Sequence, residues 1–141
     1  MTQFVDMLKE HGLKATLQRI AILSSIESVG HMDVEEIYAK VLEAHPTVSL
    51  ATIYKNILTM VSKGVLVEIP ISGKKPKYEI SKKQHLHFIC TQCSEVIDCD
   101  LPIAIIAETD RVSKQSDFSL HNSQINLYGI CSQCAQNSTT V

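Results

Sequence analysis

The spacing of apolar residues changes character along the chain. Between Phe4 and His11 they recur at helical intervals, and Gly12 stops the pattern. Leu17, Ile20, Ala21 and Leu23 fit one face of a second helix. Gly30-His31-Met32 breaks it. Asp33 then precedes Val34-Glu35-Glu36-Ile37-Tyr38 and Val41-Leu42, which predicts a third helix with an N-cap and an acidic first turn, closed by Pro46. Ser49 is suited to cap a fourth helix, with Leu50, Ile53, Ile57, Leu58 and Val61 on its apolar face and Gly64 at its end. The pattern then becomes strand-like. Val65 to Ile69 and Lys77 to Ile80 read as strands joined by the turn Gly73-Lys74-Lys75-Pro76. Short helices followed by a hairpin are the layout of a winged helix, a helix-turn-helix variant.

Ser81-Lys82-Lys83-Gln84 reads as a polar hinge. Beyond it His85-Leu86-His87-Phe88-Ile89-Cys90 alternates as a strand, Leu101 to Lys114 fits a helix, and Ile125 to Cys131 fits another strand. The polar tail from Ala135 is expected to fray. The expected fold class is α+β. Residues 1–80 form the winged helix-turn-helix domain, residues 81–84 the hinge, and residues 85–141 a second α/β domain.

Composition narrows the setting. With 45% apolar and 20% charged residues over 141 positions, the chain resembles an ordinary globular protein. It has no apolar run of about 18 or more residues, so no membrane-spanning helix is expected. The start, Met1-Thr2-Gln3-Phe4, lacks the basic and apolar regions of a signal peptide, so a cytoplasmic location is expected. In a reducing cytosol, cysteine pairs are more often metal ligands than disulfides. The net charge of −2 hides an asymmetry: residues 1–83 hold eleven Lys/Arg against nine Asp/Glu, whereas residues 84–141 hold two against six. The front half is slightly basic, which by itself is weak support for nucleic-acid binding.

Chemistry concentrates in the second half. Cys90-Thr91-Gln92-Cys93 and Cys131-Ser132-Gln133-Cys134 are two turns whose sulfurs can each reach a single ion. Together they complete a closed tetrahedral thiolate shell, which favours a structural Zn(II) over redox thiols. Cys99 has no nearby partner and reads as a small buried residue. His85 and His87 alternate about Leu86, so both imidazoles leave the strand on one face. Asp98 follows Cys93 closely, Glu79 ends the preceding strand, and His31 sits in a helix break. Mixed imidazole and carboxylate donors suit Fe(II) or Mn(II); the alternative is a set of satisfied surface polar groups. On the fourth helix, Thr52, Tyr54, Lys55 and Asn56 lie outside the apolar face and mix types that can touch bases and phosphates. Lys14 and Arg19 could add phosphate contacts. The competing reading is an ordinary solvated helix face.

Four motifs together resemble the ferric uptake regulator family, Fur, including its peroxide-responsive branch, PerR. They are Lys14-Ala15-Thr16-x-x-Arg19, Ser49-Leu50-Ala51-Thr52-Ile53-Tyr54-Lys55-Asn56, His85-x-His87-x-x-Cys90-x-x-Cys93 and Tyr128-Gly129-x-Cys131-x-x-Cys134. The resemblance implies a metal-dependent dimeric repressor, not an enzyme, in which residues 85–141 serve dimerisation and metal binding. It implies structural zinc at Cys90, Cys93, Cys131 and Cys134, and a regulatory Fe(II) or Mn(II) at His31, Glu79, His85, His87 and Asp98. It matches Tyr54 and Lys55 to base-contacting residues, Lys14 to a minor-groove or phosphate contact and Arg19 to a backbone contact. Ser49, Thr52 and Asn56 belong to the same DNA-binding stretch. The expected partners are a second copy of the chain and an AT-rich palindromic DNA operator.

Departures from the family pattern guide the finer reading. Many members carry a third metal site; the matching positions here are Gln84, Leu86, Ser123 and the vicinity of Ile105. None is a ligand of the usual type, although His121 lies near Ser123. No third site is expected in its usual form, which favours the peroxide-responsive branch. Glu79 points towards the iron-sensing branch, where Glu is typical and the peroxide-responsive branch has Asp. Leu17 replaces a frequent Pro at a helix start. A zinc-ribbon interaction module without metal sensing is the distant alternative.

Overall fold

The computed structural model describes residues 2–82 and 85–138. Met1 and residues 139–141 lie outside them, as do Lys83 and Gln84, two of the four positions expected to form the hinge. The chain divides into two compact units, Met1–Lys82 and Lys83–Val141.

The first unit has four helices and a hairpin: α1 (Thr2–Glu10), α2 (Leu17–Val29), α3 (Val34–Ala44), α4 (Leu50–Ser62), β1 (Leu66–Ile69) and β2 (Lys77–Ile80). Local signals start the helices. The Thr16 side chain accepts from the Arg19 backbone N–H ahead of α2. Asp33 and Glu36 form a reciprocal capping box ahead of α3. Each such cap satisfies backbone donors that the helix itself cannot. Gly64 adopts a φ of +81°, a conformation that costs glycine little and turns the chain from α4 towards β1.

The core of this unit includes Leu8, Ile22, Leu23, Ile26, Ile37, Val41, Ile53, Ile57 and Met60. On α4 the buried face is Ile53, Ile57 and Met60, whereas Leu50 and Leu58 are 42% and 43% exposed. This shifts the expected face by roughly one helical position. On α2 the buried residues are Ile22, Leu23, Ser25 and Ile26, and Leu17 is exposed at the first turn. α2 packs against α1, α3, α4 and β2, so its burial is not confined to one narrow stripe.

The hairpin is antiparallel, with Leu66 opposite Ile80 and Ile69 opposite Lys77. A further pairing sets the candidate site. Met32 bridges Tyr78, with N–H to carbonyl distances of 3.2 and 2.8 Å in the two directions. In an antiparallel bridge the flanking residues approach each other, so His31 comes beside Glu79.

The second unit contains β3 (His85–Cys90), β4 (Val96–Asp100), α5 (Ile103–Gln115), β5 (Ile125–Gly129) and α6 (Ser132–Ser138). The sheet order is β4-β3-β5, antiparallel between β3 and β4 and parallel between β3 and β5. β4 was not expected from the sequence. It makes the return arm of a turn that carries Cys93, closed by Ser94 N–H to Cys90 O and Cys90 N–H to Glu95 O, both 2.9 Å. Cys99 lies on this edge strand and is exposed, which corrects the expectation of a buried residue. The expectation of a frayed tail from Ala135 also needs correction. Ala135 lies within α6, where its N–H donates to Cys131 O at 2.9 Å. No helix among the described residues is long and apolar enough to cross a membrane.

Candidate metal centres and nucleic-acid face

The ends of β3 and β5 and the start of α6 gather four cysteines. Their sulfurs all lie within 4.8 Å of one another. Cys93 Sγ and Cys131 Sγ are 3.8 Å apart. Metal–sulfur bonds of about 2.3 Å place the corners of a tetrahedral shell about 3.8 Å apart, so the donor set fits Zn(II). The same separation is far too long for a disulfide. Backbone groups prepare the sulfurs for charge: Cys131 N–H donates to Cys90 Sγ and Cys134 N–H to Cys131 Sγ, each at 3.4 Å.

These contacts divide the thiols by acidity. Cys90 is pulled down to about 6, chiefly by the backbone N–H of Cys131 and then that of Cys93. Cys134 is pushed up to about 12, first by its hydrogen bond with the Cys131 side chain and then by burial. A metal must displace the protons of all four thiols, so affinity falls as pH falls. Chelator competition at a series of pH values is therefore expected to show zinc affinity falling as pH is lowered; an affinity independent of pH refutes the four-thiolate site.

The second donor group lies on the same sheet. His87 pairs with Asp98 across β3 and β4. Nε2 of His85 and Nε2 of His87 each lie 3.5 Å from Oδ1 of Asp98. The two rings stand edge to face with centroids 4.5 Å apart. Neighbouring ligand atoms around a divalent ion with bonds near 2.1 Å lie about 3–3.5 Å apart, so two nitrogens and one oxygen converge at a usable spacing. His87 is only 1% exposed.

A third group belongs to the first unit. His31 Nε2 lies 3.0 Å from Glu79 Oε2, and Glu79 is 1% exposed. A carboxyl group this deeply buried stays ionised only with positive charge or hydrogen-bond donors beside it.

The residues expected to face DNA all lie in the first unit. Ser49 caps α4, accepting from Thr52 N–H at 3.1 Å and donating to Thr52 Oγ1 at 2.9 Å. Tyr54 and Lys55 are exposed. Arg19 and Asn56 are engaged with their own unit. Arg19 Nε donates to Asn56 Oδ1 at 3.1 Å, and its Nη1 donates to the Lys14 carbonyl at 3.0 Å. Asn56 Nδ2 donates to the Thr52 carbonyl at 3.0 Å. The loop carrying Lys14 is thereby tied to α4. Sequence reasoning gave Arg19 and Asn56 direct DNA roles and missed this link, which only the packing of α2 on α4 creates.

The profile of the family described as "Ferric uptake regulator family" matches residues 10–128. The chain belongs to this family. A curated relative, the peroxide-responsive repressor PerR of Staphylococcus saprophyticus, is 30% identical over 132 residues, covering 92% of this chain and 88% of its own. The Campylobacter jejuni peroxide stress regulator is 32% identical, with a TM-score of 0.76 and coverage of 92% and 98%. The ferric uptake regulator of Pseudomonas aeruginosa with manganese is 27% identical, with a TM-score of 0.77 and the same coverage. The fold is thus that of the family, a winged-helix domain followed by an α/β domain. This chain is a metal-responsive transcriptional regulator of that family.

Proposed function

We propose that this regulator is a dimeric repressor that binds an AT-rich palindromic DNA operator when Fe(II) or Mn(II) is bound. The observation that carries the reading is the pair of donor groups, His31 with Glu79 in one unit and His85 with His87 and Asp98 in the other. One ion taking ligands from both groups favours whichever arrangement of the units brings them together. Its differential affinity for that arrangement sets the bias towards DNA binding. Residues 1–80 hold the DNA, with Tyr54 and Lys55 on bases, Ser49 and Thr52 at the start of the recognition helix, and Lys14 and Arg19 on the backbone. Asn56 steadies Arg19 on that helix.

Residues 81–84 act as the hinge. Residues 85–141 pair with a second copy. The apolar row Ile97, Phe88 and Leu127 across the sheet supports this, because each is more than 40% exposed and the three are in register. Structural Zn(II) at Cys90, Cys93, Cys131 and Cys134 holds that domain together.

The finer reading is peroxide response. Its support is the set of PerR relatives and the four unmatched positions of a third metal site. Iron sensing is the second reading, favoured by Glu79. Both are tested on the zinc-loaded full chain. Mn(II) or Fe(II) is expected to tighten binding to palindromic AT-rich DNA by at least about tenfold, a coupling of about 1.4 kcal/mol. Unchanged affinity sinks the repressor reading. Brief peroxide treatment of the Fe(II) form then separates the two branches. Oxygen added to His31 or His85, with loss of DNA, supports peroxide response; intact histidines support iron sensing.

A further inference from the structure

One contact to a candidate ligand comes from a residue that is not itself a ligand. β3 and β5 run parallel with His87 opposite Asn126, so the two side chains leave the sheet on the same face. His87 Nδ1 lies 2.9 Å from Asn126 Oδ1. His87 is buried and Asn126 half-buried. A carboxamide oxygen has only lone pairs to offer, so this hydrogen bond requires the proton on Nδ1. A neutral imidazole then keeps its other lone pair on Nε2. That is the atom facing Asp98 Oδ1 at 3.5 Å. His85 stands edge-on to the same ring at an interplanar angle of 79°, which further restricts its rotation.

We propose that Asn126 is a positioning residue for the regulatory metal: it holds His87 in the Nδ1–H tautomer and aims Nε2 at a divalent cation. The inference rests on the metal-dependent reading given above. Hydrogen bonding at the far nitrogen fixes both the tautomer and the orientation of a ligating histidine and raises its basicity, and loss of such a partner weakens metal binding about 10- to 100-fold. The competing role for the pair is a cross-strand polar contact that stabilises the sheet and nothing more. The two roles differ in what they ask of the residue at position 126. A stabilising contact tolerates any well-packed side chain. A positioning contact needs a hydrogen-bond acceptor.

Asn126→Leu removes the acceptor at similar volume, and Asn126→Asp keeps it and adds charge. Both variants are compared with the zinc-loaded wild-type chain by Mn(II) titration, reading free Mn(II) by electron paramagnetic resonance. The leucine variant is expected to lose affinity about 10- to 100-fold, and the aspartate variant to match or exceed the wild type. Asn126→Ala serves the same purpose if the leucine variant fails to fold. A second readout needs no Mn(II). Long-range proton–nitrogen spectra of the zinc-loaded protein report the His87 tautomer, with Nδ1–H expected in the wild type and the aspartate variant and a mixture in the leucine or alanine variant. Wild-type Mn(II) affinity in the leucine or alanine variant overturns the proposal, and so does an Nε2–H tautomer in the wild type. Failure of the wild type to bind Mn(II) overturns the regulatory-metal reading instead, and the tautomer spectra still judge the hold of Asn126 on His87.

Discussion

Replacing Cys131 with serine is expected to strip zinc from the protein and unfold Lys83–Val141 while Met1–Lys82 stays folded. The reason is the distribution of the core. Most of the buried apolar residues belong to the first unit, whereas in the second the described ones are Leu86, Ile89, Cys90 and Cys134. Two of those four are the candidate ligands themselves. α5 buries none of its residues within the chain. A domain of this size with so small a core needs a staple or a partner surface to remain folded. Four thiolates around zinc supply about 10–16 kcal/mol of apparent binding free energy, comparable to the total stability of a typical domain. Cys131 links β5 to α6 and lies 3.8 Å from Cys93 on the other arm, so its loss disconnects both arms. Thermal unfolding followed by circular dichroism, with zinc content measured in parallel, tests this. The wild type should show cooperative melting of both units, and the serine variant should keep only the transition of the first. A zinc-free variant that retains both transitions rules the structural role out.

The parts of this picture that were legible in the sequence are those decided by near neighbours. Asp33 with Glu36 and Ser49 with Thr52 act within a single turn, so the helix starts could be read directly. Each Cys-x-x-Cys carries its geometry in four residues. The buried face of α4 was less legible. Leu50, Leu58 and Val61 are as apolar as Ile57 and Met60, and the packing of α3 and β1 against the helix decides which are covered. β4 escaped notice because its alternation is confined to four residues, Ile97-Asp98-Cys99-Asp100, and it is pairing with β3 that makes them a strand. Asn126 was invisible for the same reason. Its partner lies 39 residues away, and no local pattern sets the register between two parallel strands. The sequence thus exposed ligands that cluster by spacing and hid residues that act on ligands through the sheet.

Asp98→Asn is expected to abolish the response to metal while leaving the fold and the zinc site intact. Asp98 faces both imidazoles of the second unit, with its Oδ1 3.5 Å from each Nε2. The amide keeps the size of the side chain and one oxygen but removes the negative charge that balances a divalent ion. Loss of that charge should lower Mn(II) affinity at least about 100-fold, or about 2.8 kcal/mol. A ligand moves a two-state balance only by its differential affinity, and a swing from 1:99 to 99:1 requires about 10⁴. A site weakened this far cannot supply that swing at the metal concentrations that saturate the wild type. DNA affinity measured by fluorescence anisotropy should therefore stay at its metal-free value when Mn(II) is added. Asp98 is the cleaner probe than Glu79: its side chain is 29% exposed against 2%, so the substituted amide can still reach solvent. Unfolding temperature and zinc content are expected to match the wild type. A variant with these controls unchanged and full Mn(II)-dependent DNA binding would remove Asp98 from the regulatory site.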